Sequence, residues 1–101
     1  MSQQDTQKSK WVLISQLKEN VSDEQLAKIA PDVLSLVEGW KSKGNFIWSG
    51  PFDNNQTGMA VFDAPSEKEA KEFFDSYSKI VSGTLDHWLY NWSIMWGVPQ
   101  N

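Results

Sequence analysis

The single imidazole of this chain, His87, sits in the run Leu85-Asp-His-Trp-Leu-Tyr-Asn-Trp92. It can act as a general base or as an axial haem ligand, with Asp86 and Tyr90 close by in sequence. In an extended chain Asp86 points to the opposite face, so the Asp-His dipeptide is not a dyad by itself. The plainer reading is a histidine at a strand start, partly exposed or held by a backbone carbonyl. Tyr77 is the other candidate acid–base group. An enzyme using either residue as an isomerase, lyase or cofactor-free oxygenase predicts a pH-dependent rate that His87→Gln removes.

Aromatic rings are the second resource. Six Trp, five Phe and two Tyr in 101 residues are a heavy load, and each can bury on the order of 150–250 Å² in a core, a pocket or an interface. Trp40, Trp48 and Tyr77 are expected to line a pocket between the sheet and the first helix, with Ser49, His87 and Asn91 as its polar groups. Trp88 and Trp92 are expected to face elsewhere. Asp53, Asn54 and Asn55 offer oxygen ligands but lack calcium-loop spacing, and read as a solvated turn. Glu67, Glu69 and Glu72 read as capping charges and a wetted helix face. No cofactor or metal site is implied, and no P-loop, dinucleotide fingerprint, HExxH or GxSxG pattern occurs.

Composition excludes several classes. The net charge is −4 and all nine basic residues are Lys. Without the guanidinium fork or a positive stripe, nucleic-acid binding is not expected. The absence of Cys removes thiolate catalysis and thiolate metal sites. Residues 1–10 read as a polar, disordered tail with no signal-peptide character, 11–97 as one domain and 98–101 as a second tail. No segment reaches membrane-spanning length, so a soluble cytoplasmic protein is expected.

These groups must be positioned by a small set of elements. Trp11–Leu17 reads as a strand. Ser22-Asp-Glu-Gln25 is a capping box opening a helix whose stripe is Leu26, Ile29, Ala30, Val33, Val37 and Trp40. Pro31 predicts a kink at Ala30-Pro31, with the main helix running to Lys43 and Gly44 ending it. Phe46–Ser49 and Gly58–Asp63 form a hairpin with a long turn-rich loop. Ser66-Glu-Lys-Glu69 is a second capping signature, before a stripe of Ala70, Phe73, Phe74, Tyr77 and Ile80. Trp88, Trp92 and Trp96 are four apart, which fits a helix face as well as a strand face. The aromatic content, the Gly83-Thr84 break and the need for a closing strand favour strand.

The order β-α-β-β-α-β is that of a ferredoxin-like α+β sandwich, a four-stranded antiparallel sheet with two helices on one face. The last strand is apolar on both faces: Trp88, Tyr90, Trp92, Ile94 and Trp96 on one, Leu85, Leu89 and Met95 on the other. Two helices cover one face only. A second copy covering the other would make a homodimeric α/β barrel.

Gly44, Ser49-Gly50-Pro51-Phe52, Gly58-Met59, Ser66-Glu-Lys-Glu-Ala70, Ser82-Gly83 and Tyr90-Asn91-Trp92 together resemble the YCII-related family of dimeric ferredoxin-like proteins, similar in fold to muconolactone isomerase. Many members carry a His in the first helix and an Asp-Pro late in the second, their proposed catalytic pair. Counting from Gly44 and Gly83, those places fall near Val33 and near Tyr77-Ser78. Neither group is present, so that mechanism does not carry over. The resemblance implies a homodimer binding an unidentified small organic molecule.

Overall fold

In the computed structural model, which describes residues 8–93 and 95, the elements run β1 (Ser9–Leu17), α1 (Asp23–Ser42), β2 (Ile47–Pro51), β3 (Thr57–Ala64), α2 (Glu67–Val81) and β4 (Leu85–Trp92). The strands form one antiparallel sheet in the order β2-β3-β1-β4. This is the expected β-α-β-β-α-β sandwich. The last segment is a strand as far as Trp92, and Ile94 and Trp96 lie outside the described residues. So do residues 1–7 and the expected second tail. Ser9 and Lys10, read above as tail, pair with Ala64 and Asp63 and extend β1 by two residues.

Local signals fix the helix ends. Ser22 accepts from the Gln25 backbone N–H at 3.1 Å while the Gln25 side chain accepts from the Ser22 N–H at 2.9 Å, closing the capping box. Ser66 accepts from the Glu69 N–H at 3.1 Å and supplies one half of such a box. Gly44, at φ +87°, takes the left-handed position after α1, where a Cβ would be strained. Pro31 does not split α1: the helix is one segment of 20 residues with the proline inside it. The lost N–H and the crowded carbonyl of Ala27 are tolerated on a face that is exposed from Ala30 to Asp32.

Strand alternation sorts the sheet into two faces. Trp11, Leu13 and Ser15 of β1, Ala60, Phe62 and Ala64 of β3, and Leu85, His87 and Leu89 of β4 point toward the helices. The core is concentrated at one end of that face. Trp40, Phe62 and Phe73 meet there with centroids 4.8–5.8 Å apart, Trp40 edge-on to Phe62 at 88°. Burying a ring of this size is worth about 1.5–3 kcal/mol, so this cluster is a principal source of the fold's stability. Trp40 also donates its indole N–H to the Asp63 carbonyl at 3.0 Å, which leaves no buried donor unpaired on that ring.

Asp63 stitches the same end together. Its carboxylate accepts the Phe46 N–H at 2.7 Å and lies 3.4 Å from the Lys10 ammonium.

Candidate functional site

At the other end of the helix-covered face the sheet presents small residues. Ser15 on β1, Ser49 on β2, and Gly58 and Ala60 on β3 are neighbours across the strands. Above them α1 offers Leu26, Val33 and Val37. Trp40 and Phe62 are packed at the other end, while Phe73 and Tyr77 of α2 bring rings to the edge of this one without filling it. The result is a cavity of about 260 Å³ between α1 and the sheet.

Its floor carries two hydroxyls. Tyr77, from α2, and Ser15 are hydrogen-bonded at 2.7 Å, and both are buried. Burial pushes the Tyr77 phenol above its ordinary value of 10.0, and the Ser15 hydrogen bond opposes the shift without cancelling it. Tyr77 is therefore a neutral hydroxyl at physiological pH. Ser49, Asn55, Gln56 and Thr57 stand at the mouth, where Asn54 orders the loop by accepting the Gln56 and Thr57 N–H groups at 2.9 and 3.1 Å. No charged side chain lines the cavity among the described residues.

Gly58 keeps the mouth in shape. A Cβ there would meet the Gly50 carbonyl oxygen at 3.2 Å, closer than an ordinary contact.

The structure brings together some of the expected residues and separates others. Tyr77 and Ser49 line the cavity. Trp40 does not: it is 4 % exposed, locked in the ring cluster at the far end of α1. Trp48 does not either: it pairs with Val61 on the open face of the sheet, 69 % exposed, and stacks on Phe46 at 6.3 Å. Asn91 is exposed near the end of β4 and donates to the Lys10 carbonyl at 3.2 Å, away from the cavity.

His87 lies beside the site, not in it. Its Nδ1–H donates to the Leu85 carbonyl at 3.0 Å, which leaves Nε2 to accept the Ser78 hydroxyl at 2.7 Å. The ring packs edge-on against Tyr77 at 5.8 Å and tilted against Phe74 at 5.2 Å. A substrate proton or a haem iron would first have to displace Ser78. Asp86 points the other way and pairs with Lys18 at 2.7 Å.

Sequence reasoning missed Ser15. The signal was available: Trp11, Leu13, Ser15 and Leu17 share one face of a strand, and a lone hydroxyl among apolar residues needs a buried partner. Val33 and Tyr77, where the YCII resemblance placed the His and the Asp-Pro, both line the cavity.

A family model for the YCII-related domain matches residues 9–90. The chain belongs to the YCII-related domain family. Among solved structures, the YCII-related chain is similar to a dimeric protein of unknown function with a ferredoxin-like fold from Bacteroides fragilis, at 13% identity and a TM-score of 0.61, covering 86% of this chain and 96% of that one. It is similar to a hypothetical Arabidopsis thaliana protein at 15% identity and a TM-score of 0.62, covering 95% and 99%. A dimeric ferredoxin-like protein from an uncultured marine organism matches at 11% identity and a TM-score of 0.59, covering 96% of each chain. No curated protein is significantly similar to it in sequence. No helix among the described residues is long and apolar enough to cross a membrane.

Proposed function

We propose that this YCII-related protein is a homodimer in which each protomer binds a small organic molecule in the cavity beneath α1. The observation that carries the binding reading is a 260 Å³ apolar space with a hydroxyl pair on its floor and a polar mouth. Apolar lining with a few convergent polar groups is the usual composition of a small-molecule site. A purely structural protein of this fold would gain stability by filling that space.

Dimerisation is supported by the open face. Phe46, Trp48, Trp88, Tyr90 and Trp92 project from it, with exposures from 45 % at Trp92 to 69 % at Trp48. Contiguous apolar surface of this kind marks an interface. The Bacteroides fragilis and marine proteins are described as dimeric.

Binding is tested with a neutral apolar fluorophore, N-phenyl-1-naphthylamine, titrated into wild type and into Ala60→Phe. Ala60 lies on the cavity floor, so the added ring occupies the space. Fluorescence enhancement saturating at one probe per protomer in wild type and absent in a folded Ala60→Phe is the expected result. Equal enhancement in both proteins would put the probe on another surface and remove the reading.

A catalytic reading of the same cavity rests on Tyr77. Its raised pKa suits a hydrogen-bond or proton donor to a ligand oxygen, not a base.

A further inference from the structure

We infer that the cavity selects an uncharged, largely hydrophobic molecule of one or two fused rings carrying a single carbonyl oxygen, which accepts a hydrogen bond from the Ser15–Tyr77 pair. This rests on the binding reading above and narrows it to a chemical class.

Charge is decided by the lining. Among the described residues, none of the side chains around the space is acidic or basic. The sequence has no Arg, and the nearby Lys18 ammonium is held by Asp86 at 2.7 Å on the open side. A carboxylate, phosphate or ammonium entering here would lose its hydration and find no counter-charge, a costly transfer into an apolar site.

Size is decided by the volume. A dry apolar cavity of about 150 Å³ accommodates benzene. At about 260 Å³ this one has room for a larger body, such as a second fused ring or a short branched substituent.

The need for one acceptor follows from hydroxyl arithmetic, and a carbonyl is the acceptor that brings no further proton to be satisfied. Two hydroxyls have two protons between them, and the 2.7 Å bond between Ser15 and Tyr77 commits one. Whichever oxygen donates, the other retains a proton, and neither has a second partner among the described residues. A buried donor left unpaired is costly, so a ligand that accepts from it gains what a hydrocarbon of the same shape cannot.

The test uses three probes of one shape and three head groups: 2-acetylnaphthalene, 2-isopropylnaphthalene and 2-naphthoate. Affinities are measured with the full chain by displacement of N-phenyl-1-naphthylamine. The ketone should bind about tenfold tighter than the hydrocarbon, and the carboxylate weaker than the ketone by about 100-fold or more. In the Ser15→Ala/Tyr77→Phe double variant the ketone should lose its advantage while the hydrocarbon keeps its wild-type affinity, which also reports that the cavity is intact. Naphthoate binding as tightly as the ketone overturns the class, as does a ketone preference that survives the double substitution. Failure of all three probes to displace the fluorophore overturns the cavity reading itself. Should the double variant not fold, the wild-type ranking of the three probes decides alone.

Discussion

His87 and Tyr77 are edge-to-face neighbours with different prospects. The imidazole is held at both nitrogens, by Ser78 and by the Leu85 carbonyl, so its work is to tie α2 to β4. His87→Gln should cost about 1–2 kcal/mol in urea unfolding, in line with the loss of two half-buried hydrogen bonds. Ligand affinity in the cavity should change by no more than a few-fold, through the Tyr77 ring against which the imidazole packs. A large loss of affinity with unchanged stability would return His87 to the site. Tyr77 reports on its burial through its own ionisation. Burial raises its pKa above 10.0 in the folded state, so its contribution is complete below that value. Above it, the unfolded chain ionises first and stability falls until the folded phenol titrates too. Urea midpoints from about pH 8 to about pH 11 should therefore decline more steeply for wild type than for Tyr77→Phe. Parallel profiles would place the phenol in water. At this scale the sequence was legible in part. It named Tyr77 and Ser49 as candidates, but Trp40 and Trp48 were assigned to the pocket because rings are conspicuous. What makes the cavity is the want of side chains at Gly58, Ala60, Ser15 and Ser49, and small residues carry little signal.

Elements were easier to read than site residues because their ends are set by local chemistry. Ser22 with Gln25, Ser66, and the left-handed Gly44 each act within one turn of chain, and each is where the residue pattern placed it. The phase of β2 was not legible in this way. Phe46 and Trp48 on one face, with Ile47 and Ser49 on the other, give a five-residue strand no clear inner side; pairing with β3 decides it. Pro31 is the other departure. It was expected to divide a short turn of helix from the main one, and α1 instead is continuous through it, because residues exposed from Ala30 to Asp32 let the helix absorb the missing N–H. That tolerance has an energetic cost, and Pro31→Ala should raise stability by about 1–3 kcal/mol, the range set by proline's penalty inside a helix. The measurement is a shift in the urea midpoint at unchanged m-value. No shift would mean the native helix already compensates for the missing N–H. Since α1 forms the roof of the cavity through half-buried Leu26, Val33 and Val37, the same substitution should also slow ligand exchange.

At the scale of the whole molecule, the sheet divides two tasks between its faces. The helix-covered face holds the core and the cavity. The open face places Phe46 and Trp48 at one edge, Trp88, Tyr90 and Trp92 at the other, and Val12, Ile14, Met59 and Val61 between them. Aromatic walls flank an aliphatic floor, with Lys10 and Asp63 at one end and Asp86 at the other. In the homodimer proposed above, a second copy related by a two-fold axis would meet the same surface with itself, so every substitution there would act twice. Trp88 pairs with Ile14 on this face, and Trp88→Lys puts two ammonium groups into one dimer interface. Loss of an aromatic anchor alone is commonly worth about 2 kcal/mol or more, so the dimer should weaken by two orders of magnitude or more in sedimentation velocity. Because the substitution is on the far side of the sheet from Ser15 and Tyr77, the monomer it releases should still bind 2-acetylnaphthalene with an affinity within a few-fold of wild type. A wild-type protein that sediments as a monomer at ~100 μM, well above the concentration at which an interface of standard size persists, would sink the dimer and leave the cavity standing. A monomeric variant that no longer binds would show the opposite, that the two faces of the sheet are energetically one unit.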